Sequence, residues 1–171
     1  MHRSIVVSSD VYYYSLAQEM GIDRIHDFMK PFGFGQITGI DLVGEARGIL
    51  PSREWKQRRF KQRWAQGDTI SIGIGQGYNA FTILQLAHAV ATLANDGIVM
   101  KPHLVKKIIN SKTGEEEIVA KNPVDVIPLK KENVNFIKRA MQDVTQKGTG
   151  RAIFAGAPYT CLLYTSDAAD E

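Results

Sequence analysis

The first 33 residues carry apolar positions at the spacing of two short α-helices. The Ser-Ser-Asp sequence at 8–10 marks the start of the first helix and Gly21 its end, since these residue types favour those positions. The second helix starts at Asp23 and is broken by Pro31 and Gly33. The apolar faces consist of Tyr13, Leu16, Ala17 and Met20 in the first helix and Ile25, Phe28, Met29 and Phe32 in the second.

The middle of the chain combines a stretch without periodicity and a strongly apolar segment. Residues 33–68 hold many glycines and charges, so we predict a long, partly extended loop that is functional or packed on something larger. Alternation over 70–75 predicts a short strand. Residues 79–95 predict a helix that is apolar over most of its circumference and is therefore buried in a sizeable domain. Its narrow polar stripe comprises Thr82, Gln85, His88, Thr92 and Asn95.

The last third of the chain predicts a hairpin and one more helix. Segments 104–110 and 116–120 flank a Ser-Lys-Thr-Gly turn at 111–114, which favours a β-hairpin. After a proline-bearing connector over 122–129, an amphipathic helix closes at the glycines 148 and 150, and its apolar face is formed by Val134, Ile137, Met141 and Val144. One hairpin beside a buried helix cannot make a complete core, so the chain is predicted to be part of a domain.

Composition narrows the class of protein without deciding its function. The chain has 171 residues, is 44% hydrophobic, and has 21 Lys and Arg against 18 Asp and Glu, a balance that does not by itself point to nucleic acid or to an acidic membrane. The single cysteine, Cys161, excludes a disulfide framework and a cysteine metal site, and no cofactor is predicted. No apolar run approaches the ~20 residues of a membrane span. The first residues are too short and polar for a signal peptide, so we expect any membrane anchor to lie outside this chain.

Ser8 and Asp10 form a Ser-x-Asp motif at the start of the first predicted helix. Taken alone, the motif favours helix capping, because Ser and Asp oxygens accept hydrogen bonds from first-turn N–H groups. A glycine-rich stretch, Gly-Asp-Thr at 67–69 and Gly-Ile-Gly-Gln-Gly at 73–77, precedes the buried helix. It indicates tight turns or close backbone approach. It lacks the Lys-Ser/Thr pair of a phosphate-binding loop and the spacing of a dinucleotide fingerprint.

The run at 53–64 mixes cations with aromatic rings and has two interpretations. Nucleic-acid binding is one, since cations meet phosphates and rings stack on bases. The other, which the near-neutral balance of the remaining chain favours, is a surface segment whose rings anchor it while its charges stay solvated. The sequence of the run is Arg-Glu-Trp-Lys-Gln-Arg-Arg-Phe-Lys-Gln-Arg-Trp.

Two further features have mainly structural interpretations. A Lys-Thr-Gly triplet lines the active site of serine transpeptidases, but the triplet at 112–114 sits at a predicted hairpin tip, so we interpret it as turn chemistry. His88 lies on the polar stripe of the buried helix without a metal partner at matched spacing, and a structural role is predicted for it.

Taken together in order, these stretches resemble the transpeptidase domain of the elongation-type penicillin-binding protein 2 family. The resemblance covers about residues 4–159. It rests on Ser8-Ser9-Asp10-Val11-Tyr12-Tyr13-Tyr14, Met20-Gly21-Ile22-Asp23-Arg24, Phe32-Gly33-Phe34-Gly35, Thr38-Gly39-Ile40-Asp41-Leu42, Leu50-Pro51, Glu54-Trp55-Lys56, Gly67-Asp68-Thr69, Gly73-Ile74-Gly75-Gln76-Gly77, Asp96-Gly97-Ile98-Val99, Lys101-Pro102-His103 and Gly148-Thr149-Gly150.

The resemblance implies an α+β, β-lactamase-like fold, in which helices flank an antiparallel sheet, and serine acyl transfer on peptidoglycan stem peptides. Three motifs meet in such a site: Ser-x-x-Lys with the nucleophile, Ser-x-Asn or Ser-x-Asp, and a Lys-Ser/Thr-Gly strand. Ser8 would then relay a proton between the general base and the leaving amine, and Asp10 would hold the lysine and the substrate. The family also implies acylation by β-lactam antibiotics, membrane-protein partners in the elongation machinery, and a place at the periplasmic face of the bacterial inner membrane. It does not imply nucleic acid.

Two departures from the family pattern limit what this chain could do alone. No Ser-x-x-Lys precedes Ser8, and residues 160–171 lack the lysine of the third motif. We therefore expect 1–159 to be an incomplete transpeptidase domain and 160–171 to be a non-native tail. The isolated chain is expected to be inactive and to expose apolar surface. The alternatives are a non-catalytic domain of the same fold, which senses β-lactams or docks a partner, and a nucleic-acid module built on 53–64. A third alternative is the division-specific relative of the same family, which only the flanking domains would separate from the elongation type.

Overall fold

Helices make up most of the N-terminal half of the chain. The computed structural model describes residues 1–159 and 161–162. The elements of this half are α1 His2–Val6, α2 Asp10–Met29, a 3₁₀ turn Lys30–Phe32, α3 Arg53–Phe60 and α4 Gln66–Gly73. The predicted end of the first helix at Gly21 is confirmed as a kink, because Gly21 has φ 74° and ψ 158° inside α2.

The C-terminal half carries the strands and two longer helices. Its elements are α5 Ile83–Ala94, β1 Ile98–Met100, β2 Lys107–Ile109, β3 Glu116–Ile118, β4 Pro123–Val126 and α6 Lys131–Lys147. β2 and β3 form the predicted antiparallel hairpin. β1 pairs antiparallel with β4, and Ile98 lies opposite Val126. β4 lies within the segment that the sequence predicted to be a connector.

Two predictions for the middle of the chain are wrong. The predicted loop over 33–68 contains α3, whose N-cap Ser52 accepts a hydrogen bond from the Trp55 N–H at 3.1 Å. Its one buried position is Lys56, so the helix has no apolar period to detect. Residues 70–73 of the predicted strand over 70–75 are instead the end of α4, and residues 74 and 75 form a turn. Thr69 and Ile72 are the buried positions of α4.

Helix α5 is confirmed, but its burial differs from the prediction. It starts after a capping box formed by Thr82 and Gln85, which satisfies two otherwise unpaired N–H groups. Gln85 and Thr92 of the polar stripe are 0% and 2% exposed, whereas Ile83 is 86% exposed. The buried face of α5 therefore includes much of its polar stripe, and part of its apolar surface is open in the described chain.

Two apolar clusters hold these elements together. One joins α5 to the β1–β4 pair and the segment after α2, with Phe32, Phe34, Ala89, Val99 and Ile127 at its centre. The other joins α1 to α6 through Ile5, Ala140 and Val144. Among the residues described, no helix has the length and apolarity needed to cross a bilayer.

Candidate active site

Ser8 lies in the tight turn that joins α1 to α2. Its backbone φ is 50°, in the left-handed region that residues with a side chain seldom adopt. Backbone hydrogen bonds hold the turn: the Ser8 N–H donates to the Ile5 carbonyl at 3.3 Å and the Ser9 N–H to the Ser4 carbonyl at 2.9 Å. Unusual backbone of this kind is concentrated at functional sites. The conformation therefore supports a role for Ser8 beyond the turn itself.

Helix capping does not account for the whole Ser-x-Asp motif. The N-cap of α2 is Ser9, and in the described part of the chain its side chain accepts no hydrogen bond from the first turn. Asp10 is the first helical residue, where the positive end of the helix dipole favours a carboxylate. Ser8 precedes the cap, so the dipole explains Asp10 in part and leaves the position of the Ser8 hydroxyl to other contacts.

The Gly-Thr-Gly segment at 148–150 lies beside this turn. Ser8 Oγ and Thr149 Oγ1 are 3.4 Å apart. The Thr149 N–H donates to the Val6 carbonyl at 3.3 Å, and the Gly150 N–H donates to the Val144 carbonyl at 3.1 Å. The fold thus joins two motifs that the sequence identified separately, at opposite ends of the chain.

Close contact with α4 fixes the position of α2. A Cβ on Gly73, at the end of α4, would overlap Ala17 and lie 2.9 Å from the Tyr13 carbonyl oxygen. The chain then turns back, with the Gln76 N–H donating to the Ser71 carbonyl at 3.0 Å. The glycine-rich stretch therefore serves close helix packing, as the sequence indicated, on the helix that carries Asp10.

A buried ion pair links α3 to α4. Lys56 is 5% exposed, and its Nζ lies 2.5 Å from Asp68 Oδ2, which also accepts from the Ala65 N–H at 2.7 Å. The ammonium lies 5.3 Å from the Tyr78 ring centre and 5.9 Å from that of Trp64. The hydrogen bond to Asp68 raises the pKa of Lys56 above its ordinary value, so the ammonium stays charged at neutral pH.

Two carboxylates order the long loop that follows α2. Asp41 accepts from the N–H groups of Leu104 and Val105 at 2.7 and 2.8 Å. Glu45 accepts from the Thr38 N–H at 2.6 Å. The Val105 and Leu104 N–H groups lower the pKa of Asp41, and the Thr38 N–H lowers that of Glu45. Asp41 therefore joins the loop to the start of the β2–β3 hairpin.

Gln85 holds the same loop against α5. Its Nε2 donates to the carbonyls of Gln36 at 2.5 Å and Arg47 at 2.7 Å, while its Oε1 accepts from the Thr82 N–H at 3.2 Å. Both N–H groups and the oxygen of the Gln85 side-chain amide are therefore hydrogen-bonded within the protein. This explains why a polar residue is fully buried here.

The predicted turn at 112–114 is confirmed. The Asn110 side chain accepts from the Lys112 N–H at 2.9 Å, and the Gly114 N–H donates to the Asn110 carbonyl at 2.8 Å. The triplet is exposed at the hairpin tip. His88 Nε2 donates to the Met100 carbonyl at 2.8 Å, a contact that ties α5 to β1, as expected of a structural histidine.

The aromatic rings of the basic run are packed against one another. Trp55, Phe60 and Trp64 each lie 5.3 to 6.2 Å from the Tyr78 ring. The cations of the run other than Lys56, in contrast, are exposed: Arg53, Arg58, Arg59, Lys61 and Arg63. Rings that pack on one another have less surface available for stacking on bases, so this arrangement favours anchoring over nucleic-acid binding.

The family model for the penicillin binding protein transpeptidase domain matches residues 1–161. The chain belongs to the penicillin-binding protein transpeptidase family. The D,D-transpeptidase MrdA of Haemophilus influenzae is 45% identical over 93% of this chain, and that of Acinetobacter baumannii is 43% identical over 90%. The chain spans about a quarter of the length of these relatives, 25% and 23%.

Solved structures of penicillin-binding protein 2 share the fold. A Pseudomonas aeruginosa structure in complex with WCK 5153 has a TM-score of 0.83 and 40% identity, covering 96% of this chain and 37% of that one. A complex of the Helicobacter pylori protein with MreC has a TM-score of 0.80 and 28% identity, covering 96% and 29%. The resemblance to penicillin-binding protein 2 and the α+β transpeptidase-like fold are thereby confirmed.

Sequence reasoning missed two features around the site. One is α3, although Ser52 after a proline, with the acidic Glu54 in the first turn, is a helix-start signal. The other is the contact between Ser8 and Thr149, for which a single sequence carries no signal. The predicted tail begins at residue 160, and all but residues 161 and 162 of it lie outside the described residues.

Proposed function

We propose that this chain is a segment of a peptidoglycan D,D-transpeptidase for cell wall elongation and that Ser8 and Asp10 are its second active-site motif. The observation that carries the proposal is Ser8 itself. It has a left-handed backbone at the mouth of α2 and is the serine of a Ser-x-Asp sequence in a chain of this family. The relatives' activity as peptidoglycan D,D-transpeptidases supports the reaction class.

The proposed reaction proceeds through a serine acyl-enzyme. A serine from a Ser-x-x-Lys motif outside this sequence attacks the carbonyl carbon between the two D-alanines, and its proton passes to the general base. The terminal D-alanine leaves as its nitrogen gains a proton. An amine of a neighbouring stem peptide then attacks the ester, loses a proton and releases the serine. A β-lactam would acylate the same serine when its ring amide opens.

In both steps Ser8 would carry a proton between the base and the departing or arriving nitrogen. A hydroxyl suits this task because it accepts and donates at once. Asp10, on the first turn of α2, would orient the lysine of the first motif and the substrate amide. The role of each residue follows from its position in the family motif, and the separation of Ser8 from the helix cap supports it.

The test uses a chimera in which residues 1–159 replace the matching segment of the H. influenzae MrdA. Acylation by a fluorescent penicillin is followed over time and resolved into binding and acylation constants. Ser8→Ala should slow acylation about 100-fold or more, the usual contribution of a proton-transfer group. An unchanged rate would leave Ser8 as a turn residue, and a wild-type chimera that never acylates would favour a non-catalytic domain.

The proposed partners and location follow from the same assignment. A transpeptidase of this class would work at the periplasmic face of the bacterial inner membrane and meet membrane proteins of the elongation machinery. The H. pylori relative has been solved with MreC, which supports such a partner. Fractionation of cells that produce the complete protein tests the location, and recovery in the cytosol would contradict it.

A further inference from the structure

The hydroxyls of Ser8 and Thr149 meet although 141 residues separate them in sequence. The oxygen atoms are 3.4 Å apart, and either one could donate. This distance is longer than the roughly 2.5–3.0 Å usual for O–H···O hydrogen bonds, so a hydrogen bond between them is a long, weak one. Thr149 is outside the three motifs of the acyl-transfer site. Its contact with Ser8 therefore raises the question of what Thr149 contributes.

The backbone around Thr149 is built to lie against this turn. Gly148 packs so closely on α1 that a Cβ there would overlap the Val6 carbonyl and lie 3.0 Å from Val144 Cα. Thr149 also donates its N–H to the carbonyl of Val6, which is two residues before Ser8. The segment from Val6 to Ser8 thus contacts both the backbone and the side chain of Thr149. The contact between the two hydroxyls is therefore part of the packed interface between α1 and α6.

The Ser8 backbone is fixed by its turn, and only rotation about χ1 and the C–O bond remains to aim its hydroxyl. A neighbouring hydroxyl can restrict that rotation. Thr149 suits this role because its β-branched side chain has few rotamers and its hydroxyl can switch between donor and acceptor as Ser8 gains or passes on a proton.

We propose that Thr149 is a positioning residue for the reaction, whose hydroxyl aims the Ser8 hydroxyl toward the groups between which it relays a proton. The inference rests on the proposed role of Ser8. It assigns to the Gly-Thr-Gly segment a function in acylation in addition to its packing on α1.

Three variants of the chimera defined above test the assignment. Thr149→Val removes the hydroxyl at nearly constant shape. It should lower the acylation rate constant about tenfold, the effect of losing one hydrogen bond, and should change the penicillin binding constant little. Thr149→Ser keeps the hydroxyl and should stay within about threefold of the wild type. Thr149→Ala removes the hydroxyl and should match the valine variant. Circular dichroism and the melting midpoint identify any variant that fails to fold.

A double-mutant cycle separates this inference from the proposed function. If Thr149 acts through Ser8, adding Thr149→Val to Ser8→Ala should cause little further loss. An equal loss of acylation rate on adding Thr149→Val to the wild type and to Ser8→Ala would overturn the assignment. So would a Thr149→Ser variant that acylates as slowly as Thr149→Val. If Ser8→Ala slows acylation and none of the Thr149 variants does, only the role of Thr149 fails. If Ser8→Ala has no effect, the proposed function fails first.

Discussion

At the scale of single residues, carboxylates that accept backbone N–H groups order this chain where periodic structure is absent. Asp41 bonds Leu104 and Val105 from 63 and 64 residues away in sequence. A carboxylate accepts such bonds better when ionised, which is why the pKa of Asp41 is lowered. The aspartate of the Gly-Ile-Asp sequence at 39–41 is thus explained by this structural contact, which is independent of catalysis.

Acid should release this contact. Because the pKa of Asp41 is lowered in the folded state, its contribution to stability is complete above its ordinary value of 3.8 and is lost as pH falls through the folded value. Hydrogen-exchange protection of the Leu104 and Val105 amides in the chimera should therefore be constant above pH 3.8, begin to fall below it, and be lost as pH passes the lowered pKa of Asp41.

The matched variants are Asp41→Asn and Glu45→Gln. The first should lower protection of these two amides at neutral pH and remove its dependence on acid, since an amide oxygen is a weaker acceptor than a carboxylate. The second should leave them protected, because Glu45 bonds Thr38 instead. Equal protection in all three proteins would show that Asp41 does not hold the hairpin.

At the scale of elements, the buried position of helix α3 is occupied by a charged residue, where an apolar residue is expected. Helix α3 buries Lys56 against Asp68 of α4, and α4 in turn packs on α2. A contiguous set of contacts therefore runs from the basic run to the helix that carries Asp10. Removing one partner of a buried pair leaves the other charge without compensation, and this is strongly destabilising.

Lys56→Met keeps most of the side-chain volume and removes the charge. It should lower the melting midpoint of the chimera by several degrees, as measured by circular dichroism. Arg53→Gln is the control, since the Arg53–Asp23 pair has side chains 53% and 63% exposed and exposed pairs contribute little. A loss as large in the control as in Lys56→Met would show that burial is not the cause.

The same pair explains which elements the sequence could predict. Helices α2, α5 and α6 and the β2–β3 hairpin follow from apolar period, caps and turn residues. Helix α3 does not, because its buried position is a lysine whose partner lies 12 residues away. The alternating isoleucines at 70, 72 and 74 are typical of a strand, although Ile70 and Ile72 lie in α4 and Ile74 is its C-cap. Helix α1 has only five residues, too few for a period to be visible.

Prediction of the candidate site had a similar limit. Ser8 and Asp10 are proposed as site residues from the motif and the family resemblance, since local spacing alone favours a helix cap. The contact with Thr149 depends on the packing of α1 on α6, which no local pattern encodes. Long-range contacts of this kind can be identified only when the fold is known, because it is the packing of the two helices, and no spacing along the chain, that brings the two residues together.

At the scale of the whole molecule, apolar surface remains open where a complete domain would be expected to cover it. Ile83 and Leu86 of α5 are 86% and 46% exposed, and Val11 at the start of α2 is 74% exposed. In the hairpin, Ile108 and Ile118 are 56% and 73% exposed. Exposed apolar residues are common singly, but several on the same elements favour association.

The isolated 171-residue chain should therefore bind a hydrophobic dye and fail to melt cooperatively. The chimera should bind little dye and should melt cooperatively. The reason is that the chimera supplies the remaining parts of the transpeptidase domain, which would cover these side chains. Dye fluorescence and thermal unfolding are compared for the two proteins at equal concentration. A sharp melt with little dye binding by the isolated chain would show that the segment forms a self-sufficient core.

The same pair of samples tests the chemistry independently of folding. Without a Ser-x-x-Lys motif, the isolated chain should not be labelled by a fluorescent penicillin, and labelling should not appear under conditions that suppress aggregation. The chimera should be labelled. Covalent labelling of the isolated chain that survives denaturation would place a nucleophile within these 171 residues and contradict the division of motifs proposed for this protein.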